Sequence, residues 1–398
     1  MEIAENLTEA PPSVSERHAR RIAVDCFGLS AHDLRPLPGE RDQTFRLRDD
    51  RGRELVLKIE RLLQTLPDEL GHVMLTCTGS EANDLAYRMA RASTGGTGFI
   101  VTDCAYHGVT AAISELSPSL GAGVVQPPTT RTVPAPDRYR RGDRDVGERF
   151  AADVRAAVAD LRAHGIRPAA LLVDTIFSSD GILPDPAGFL APAAAAIREA
   201  GALLITDEVQ AGFGRTGTMW GFSRHGVVPD IVTLGKPMGN GHPIAGVVAR
   251  PELLETFGSR TRYFNTFGGN TVSCAVGMAV LDVLEDEALV ENARTVGEHL
   301  RNTMAPLAER YELIGDVRSA GLFVGIDLVR DPDTREPAGT AAVRVVEAMR
   351  TRRILINATG PHANVLKIHP PLVFTHEQAD LLVHGLDEAL AEVAEQAR

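Results

Sequence analysis

From residue 72 onward, short apolar runs alternate with helical stretches, and this alternation restricts the possible folds more than any other feature of the chain. The candidate strands are HVMLTCT (72–78), GFIVT (98–102), AALLVD (169–174), ALLIT (202–206), DIVTL (230–234) and IAGVVA (244–249). Several are apolar throughout, as strands covered on both faces of a mostly parallel sheet must be. Between them lie helical segments such as EANDLAYRMARA and GFLAPAAAAIREA. This order predicts an α/β domain over 67–275 with a covered, mostly parallel central sheet.

After about residue 273 the pattern changes. Long amphipathic helices, SCAVGMAVLDVLED and LVENARTVGEHLRNTMAPLAERY, precede strands near GLFVGIDLV and NVLKIHP and a closing helix in 376–396. We read 276–398 as a smaller α+β C-terminal domain. Residues 118–150, rich in Pro, Arg and Asp, read as a surface excursion. The first 66 residues stand apart and contain PLPGERDQTFRLRDDRGRELVLKIE, a hairpin-like stretch with a turn at Asp49–Gly52.

The net charge of −12 over 398 residues disfavours nucleic acid or an anionic membrane as a partner. It leaves room for an anionic small molecule, because phosphate sites use local N–H groups and helix ends. Cys26, Cys77, Cys104 and Cys274 show neither metal-site nor disulfide-framework spacing. No apolar run reaches the length of a membrane span, and the N-terminus lacks an apolar signal core. A cytoplasmic protein is expected.

The residues that carry chemistry sit at strand ends. Lys236 follows DIVTL in the loop GKPMGNGHP, where rigid backbone aims its amine and desolvation is expected to lower its pKa. Asp207 closes ALLIT, at the carboxyl end of a strand, where open α/β sheets bind ligands. Gly79 and Ser80, in CTGSEAND, open a helix whose free N–H groups suit an anion. Tyr106, in AYHG, offers a flat ring, Gln210 a hydrogen-bonding amide, and Thr266 and Asn270 a polar, Gly-rich turn. Each also fits a plain structural role: a solvated lysine, helix caps for Asp207, Ser80 and the Thr266–Asn270 turn, a core ring for Tyr106. In their order and spacing they meet the needs of pyridoxal 5′-phosphate (PLP). That cofactor takes a lysine for a Schiff base, a carboxylate for its ring nitrogen, phosphate donors, a stacking ring and a partner for its phenolic oxygen.

The set TGSEAND, AYHG, LLITDEVQAGFGRTG, PDIVTLGKPMGNGHP and YFNTFGGN resembles the class III aminotransferases, fold type I PLP enzymes, from about residue 66 to the C-terminus. The resemblance implies Lys236 as the Schiff-base lysine and Asp207 as partner of the ring nitrogen. It further implies Tyr106 as the stacking ring, His107 beside it as a cofactor contact, and Gly79 and Ser80 as phosphate binders. Thr266 would reach the phosphate of a neighbouring subunit, making the enzyme a homodimer. Within the family, VPDIVTLGKPMGNGHP, YFNTFGGNTVSCAVGMAVLDVLE, GLFVGIDLVRD and GPHANVLKIHPPL are similar to the amine phospho-lyases, which act on O-phosphoethanolamine or phosphohydroxylysine. Amino-acid transaminases often carry an arginine where this chain has Lys367, which favours a substrate lacking an α-carboxylate; Lys367 and Asn270 are the candidate substrate contacts.

Three departures stand out. The stretch ending in LKIE resembles the opening hairpin of aminoglycoside-phosphotransferase-like kinases, with Lys58 in the ATP-contacting place, yet no kinase catalytic loop follows and no kinase activity is expected. Family members usually have a longer segment of their own before TGSEAN, so the N-terminal part reads as a fusion with an internal deletion. Asp174 stands where the family often has a glutamate-led segment, and Ser319 replaces the usual glycine after Arg318. Three functions are weighed: β-elimination of phosphate from a phosphorylated amine, transamination to a keto acid, and a non-catalytic scaffold.

Overall fold

The computed structural model describes two strands, at 31–37 and 44–49, and residues 61–142 and 144–396. The chain divides into two compact units, Met1–Thr65 and Leu66–Arg398. In the first, β1 (Ala31–Leu37) pairs antiparallel with β2 (Thr44–Asp49). The turn expected at Asp49–Gly52 and the kinase-like Lys58 lie outside the described residues.

The second unit is built on seven strands: β3 (His72–Thr76), β4 (Gly98–Thr102), β5 (Thr130–Val133), β6 (Pro168–Asp174), β7 (Leu203–Asp207), β8 (Ile231–Leu234) and β9 (Ala245–Ala249). Their order is β3-β9-β8-β7-β6-β4-β5, and only β9 runs against its neighbours. Side chains alternate between the two sheet faces. Phe99, Leu172, Ile205 and Val247 join the core under the helix Gly79–Thr94, while Ile100, Leu171, Leu204 and Val232 point to the other face and are equally buried. Both faces are therefore covered, which is why these strands read as unbroken apolar runs. β5 (TRTV) is different. It lies within the stretch taken for a surface excursion and forms the sheet edge, with Arg131 and Thr132 on its more open positions. A four-residue, half-polar edge strand carries no apolar signature, and the helix Val146–Ala163 also begins inside that stretch.

A second sheet of four antiparallel strands has the order β10 (Ile314–Ala320), β11 (Phe323–Leu328), β13 (Val365–Ile368), β12 (Asn357–Thr359). The helices Leu289–Arg310, Gly339–Thr351 and His376–Gln396 share its core through residues such as Leu300, Val345 and Leu386. Asp327 of β11, fully buried, is held by Arg140 (2.7 Å), Arg318 (2.9 Å) and Asn364 (2.7 Å), which compensates the burial of its charge.

The register of the large sheet positions the site. Asp174, Asp207 and the adjoining Thr233 stand side by side across β6, β7 and β8, at the carboxyl ends of parallel strands. Ligands of open α/β sheets bind in the crevice beyond these ends.

Candidate active site

The helix Gly79–Thr94 starts at this crevice. Thr78 is its N-cap and forms a capping box with Glu81, whose backbone N–H reaches the Thr78 hydroxyl at 3.1 Å and whose carboxylate accepts from Thr78 N–H at 2.9 Å. Thr78, rather than Ser80, thus does the capping. The N–H groups of Gly79 and Ser80, in the first helical turn, have no carbonyl within the helix to bond. The Ser80 hydroxyl accepts from Val109 N–H (3.1 Å), which draws the Tyr106–Val109 loop onto the helix start. Gly108 makes that approach possible. Its φ is +138°, and a Cβ there would lie 2.6 Å from Ser80 Oγ and 2.9 Å from Ser80 Cα.

Asp207 is 5% exposed and heavily bonded. Its Oδ2 accepts from Asn83 Nδ2 (2.9 Å) and faces His107 Nδ1 (2.9 Å), and its Oδ1 accepts from Val209 N–H (3.1 Å). Asn83 also donates to the His107 carbonyl (2.7 Å) and accepts from the Thr233 hydroxyl (2.8 Å). Since a carboxylate only accepts, His107 presents its Nδ1 hydrogen to Asp207. Its Nε2 is buried without a hydrogen-bond partner among the described residues.

Gly79, Ser80, Tyr106, His107, Asp207, Gln210 and Lys236 all line one pocket, together with Asn83, Gly108, Asp174 and Val209. Lys236 opens a short 3-10 turn, Lys236–Gly239, directly after β8. Its Nζ lies 6.0 Å from the centroid of the Tyr106 ring. The expected desolvation is not found: Lys236 is exposed along the pocket wall.

Gln210 and Lys367 meet. Lys367 Nζ donates to Gln210 Oε1 (2.8 Å), and Gln210 Nε2 donates to Ser178 Oγ (2.7 Å). The Ser178 hydroxyl in turn bonds Asp174, which also accepts from the N–H groups of Ile176 (3.0 Å) and Ser178 (2.9 Å). Burial pushes the Asp174 carboxyl up and the Lys367 amine down; Asp174 pulls Lys367 back up, and Lys236 adds to the depression. Gln210 thus has an amide hydrogen left for a ring oxygen, but its carbonyl is engaged by Lys367.

Lys367, Thr266 and Asn270 are not in the pocket lining, which Lys367 meets only through Gln210. Thr266 is exposed between the exposed rings of Phe264 and Phe267. Asn270 is the N-cap of the helix Thr271–Asp286: its Oδ1 accepts from Ser273 N–H (3.0 Å) and its Nδ2 donates to Phe267 O (2.7 Å). Both ends of that side chain serve the cap, so the structural role considered for Asn270 is present. Asn83, Val209 and Ser178 were missed by sequence reasoning. Asn83 alone left a local sign, an amide on the apolar face of a helix where polar side chains need a reason to be buried.

These features fit PLP. The pocket has unpartnered helix N–H groups for a phosphate, a buried carboxylate for a ring nitrogen, an aromatic face, and an exposed amine within reach of that face. A Cβ at Gly108 would press on Ser80 at the helix start.

The fold and this site define a PLP-dependent enzyme. The chain belongs to the aminotransferase class-III family, whose model matches residues 51–390. The match begins inside the stretch that resembled a kinase hairpin, so residues 51–66 fall within the family's own region. The chain is 40% identical over 356 residues to an alanine–glyoxylate aminotransferase 2-like protein of Drosophila melanogaster, covering 86% of this chain and 72% of that one. It is also 40% identical over 351 residues to ethanolamine-phosphate phospho-lyase homolog 1 of Caenorhabditis elegans, with coverages of 83% and 75%. Among solved structures, a phospholyase from Arthrobacter in complex with phosphoethanolamine superposes with a TM-score of 0.81 at 43% identity, covering 85% of this chain and 81% of that one.

Proposed function

We propose that the protein eliminates phosphate from a phosphorylated primary amine. The observation that carries this reading is Lys367, a half-buried amine that donates to the pocket-lining Gln210 and has no carboxylate in direct contact among the described residues; in this reading it meets an anionic substrate group. The kinship with the Caenorhabditis phospho-lyase homolog and the Arthrobacter phospholyase supports it.

Bound PLP withdraws electrons from the carbon that bears the substrate amine, which makes a proton on that carbon acidic. In this reading Lys236 carries the cofactor covalently and moves that proton at its Nζ. Asp207 keeps a proton on the ring nitrogen, and Asn83, His107 and Val209 hold the carboxylate in place. Gly79 and Ser80 bind the cofactor phosphate, Tyr106 covers the ring face, and the free Gln210 hydrogen meets the ring oxygen. Lys367 neutralises the departing phosphate. The exposed rings of Phe264 and Phe267, at 67% and 68% exposure, support a homodimer in which Thr266 reaches the neighbouring cofactor phosphate. We place this enzyme in the cytoplasm, with residues 67–275 as the cofactor-binding domain and 276–398 as the small domain.

Transamination is the second reading, favoured by the kinship with the Drosophila aminotransferase-like protein. The test is phosphate release from O-phosphoethanolamine by the PLP-loaded protein without any keto acid. Release establishes the lyase. No release, together with amino transfer to an added keto acid, establishes the transaminase.

A further inference from the structure

The hydrogen bonds from Lys367 to Asp174 all run in one direction. Lys367 is donor only, so it fixes the Gln210 amide with its oxygen toward the lysine and its nitrogen toward Ser178. Ser178 Oγ, having accepted from Gln210, gives its own hydrogen to Asp174. The chain thus leads from a cation, through an amide and a hydroxyl, to an anion. Bonds arranged head to tail polarise one another in a low-dielectric interior.

The charged groups around Lys367 make this link consequential. Lys236 and His369 both lie close, with Arg215 beyond His369. Arg215 donates to the backbone carbonyls of Leu322 and Pro370. Asp174 is the negative charge that acts on Lys367, which sits half-buried beside the pocket-lining Gln210. A partly desolvated ammonium loses its proton more readily unless a counter-charge holds it.

We propose that Asp174, acting through Ser178 and Gln210, is the positioning counter-charge that keeps Lys367 protonated and held beside the pocket-lining Gln210, and so sets the preference for anionic amines. Asp174 reaches the lysine through two neutral links rather than by direct contact. Lys367 therefore keeps donors for the substrate instead of being quenched by an ion pair. The assignment deepens the proposed function, since it rests on Lys367 receiving the substrate's anionic group.

The test uses the PLP-loaded protein with lysine labelled by 15N at Nζ. The chain contains three lysines, Lys58, Lys236 and Lys367, so the Lys367 signal is identified by its loss in Lys367→Ala. Asp174→Asn and Ser178→Ala should each lower the Lys367 titration midpoint by about one pH unit and raise KM for O-phosphoethanolamine about tenfold. Ser178→Ala leaves the Asp174 charge in place and guards against a folding defect in Asp174→Asn. Unmoved titration and KM in both variants, while Lys367→Ala raises KM, overturn the relay and leave the substrate reading standing. An unchanged KM in Lys367→Ala overturns the substrate reading itself. The titration reports on the relay in either case.

Discussion

Replacing Asn83 by alanine should damage both the fold and the cofactor grip. The Asn83 side chain makes three hydrogen bonds, to Asp207 Oδ2, the His107 carbonyl and the Thr233 hydroxyl, all between 2.7 and 2.9 Å. Thr233 is fully buried, so its hydroxyl loses its acceptor in a place water does not reach. Asp207, at 5% exposure, loses one of two donors on the same oxygen. Each stranded buried group costs about 1–3 kcal/mol, and more where a charge is involved. Because the three bonds share one side chain and the site relaxes in part, the sum should be roughly 2–5 kcal/mol. Urea unfolding of the cofactor-free protein would show this as a lower midpoint at an unchanged slope. PLP titration, followed by its absorbance, should show weaker binding, because Asp207 is no longer held. Asn83→Asp should be worse, since it sets a second carboxylate about where the amide stood, beside Asp207. A loss below about 0.5 kcal/mol, the range of ordinary surface changes, with unaltered PLP affinity would refute the argument.

Three more predictions follow from the geometry. Lys236→Ala should abolish turnover and let PLP be removed by gel filtration alone; a variant that keeps full activity contradicts the assignment of the cofactor lysine. Gly108→Ala should cost about 1–3 kcal/mol in urea unfolding, since a Cβ would lie 2.6 Å from Ser80 Oγ in a strained backbone region, and it should weaken PLP binding as the loop lifts from the helix start. His225 is buried and its pKa is pushed down to about 4 from its ordinary 6.5, so it stays neutral in the folded chain while the unfolded chain takes up a proton. Its contribution to stability is complete above about pH 6.5 and is lost as the pH falls toward about 4, by up to about 1.4 kcal/mol per pH unit. His225→Gln should flatten that limb of the stability curve, and an unchanged slope between pH 4 and 6.5 would count against it.

The sequence was most informative where the chain is buried on both sides. All six apolar runs are strands, because a covered parallel strand excludes polar residues on either face. The edge strand β5 and the polar β10, which holds Arg318 against Asp327, escaped notice because their burial is only partial or is compensated by ion pairs. The same division holds at the site. Lys236, Asp207, Gly79 and Ser80 are legible because they sit at strand and helix ends, where local chemistry marks them. Asn83 and Ser178 act on partners far off in the sequence, at Asp207, Thr233 and Gln210, and no local pattern carries that information. Asn270 shows a polar turn that caps a helix.

The helix Gly79–Thr94 touches the pocket twice, through the amides at its start and through Asn83 one turn later. An α-helix rises 1.5 Å per residue and hardly stretches, so Ser80 and Asn83 are separated by about 4.5 Å along its axis. In the proposed reading, one rigid rod therefore spaces the seat for the phosphate arm from the clamp on the carboxylate that would meet the ring. On that reading the helix would gauge the cofactor as a calliper does: an analogue with a shorter arm, or with none, would engage one jaw but not both, and discrimination against it would need no additional residue.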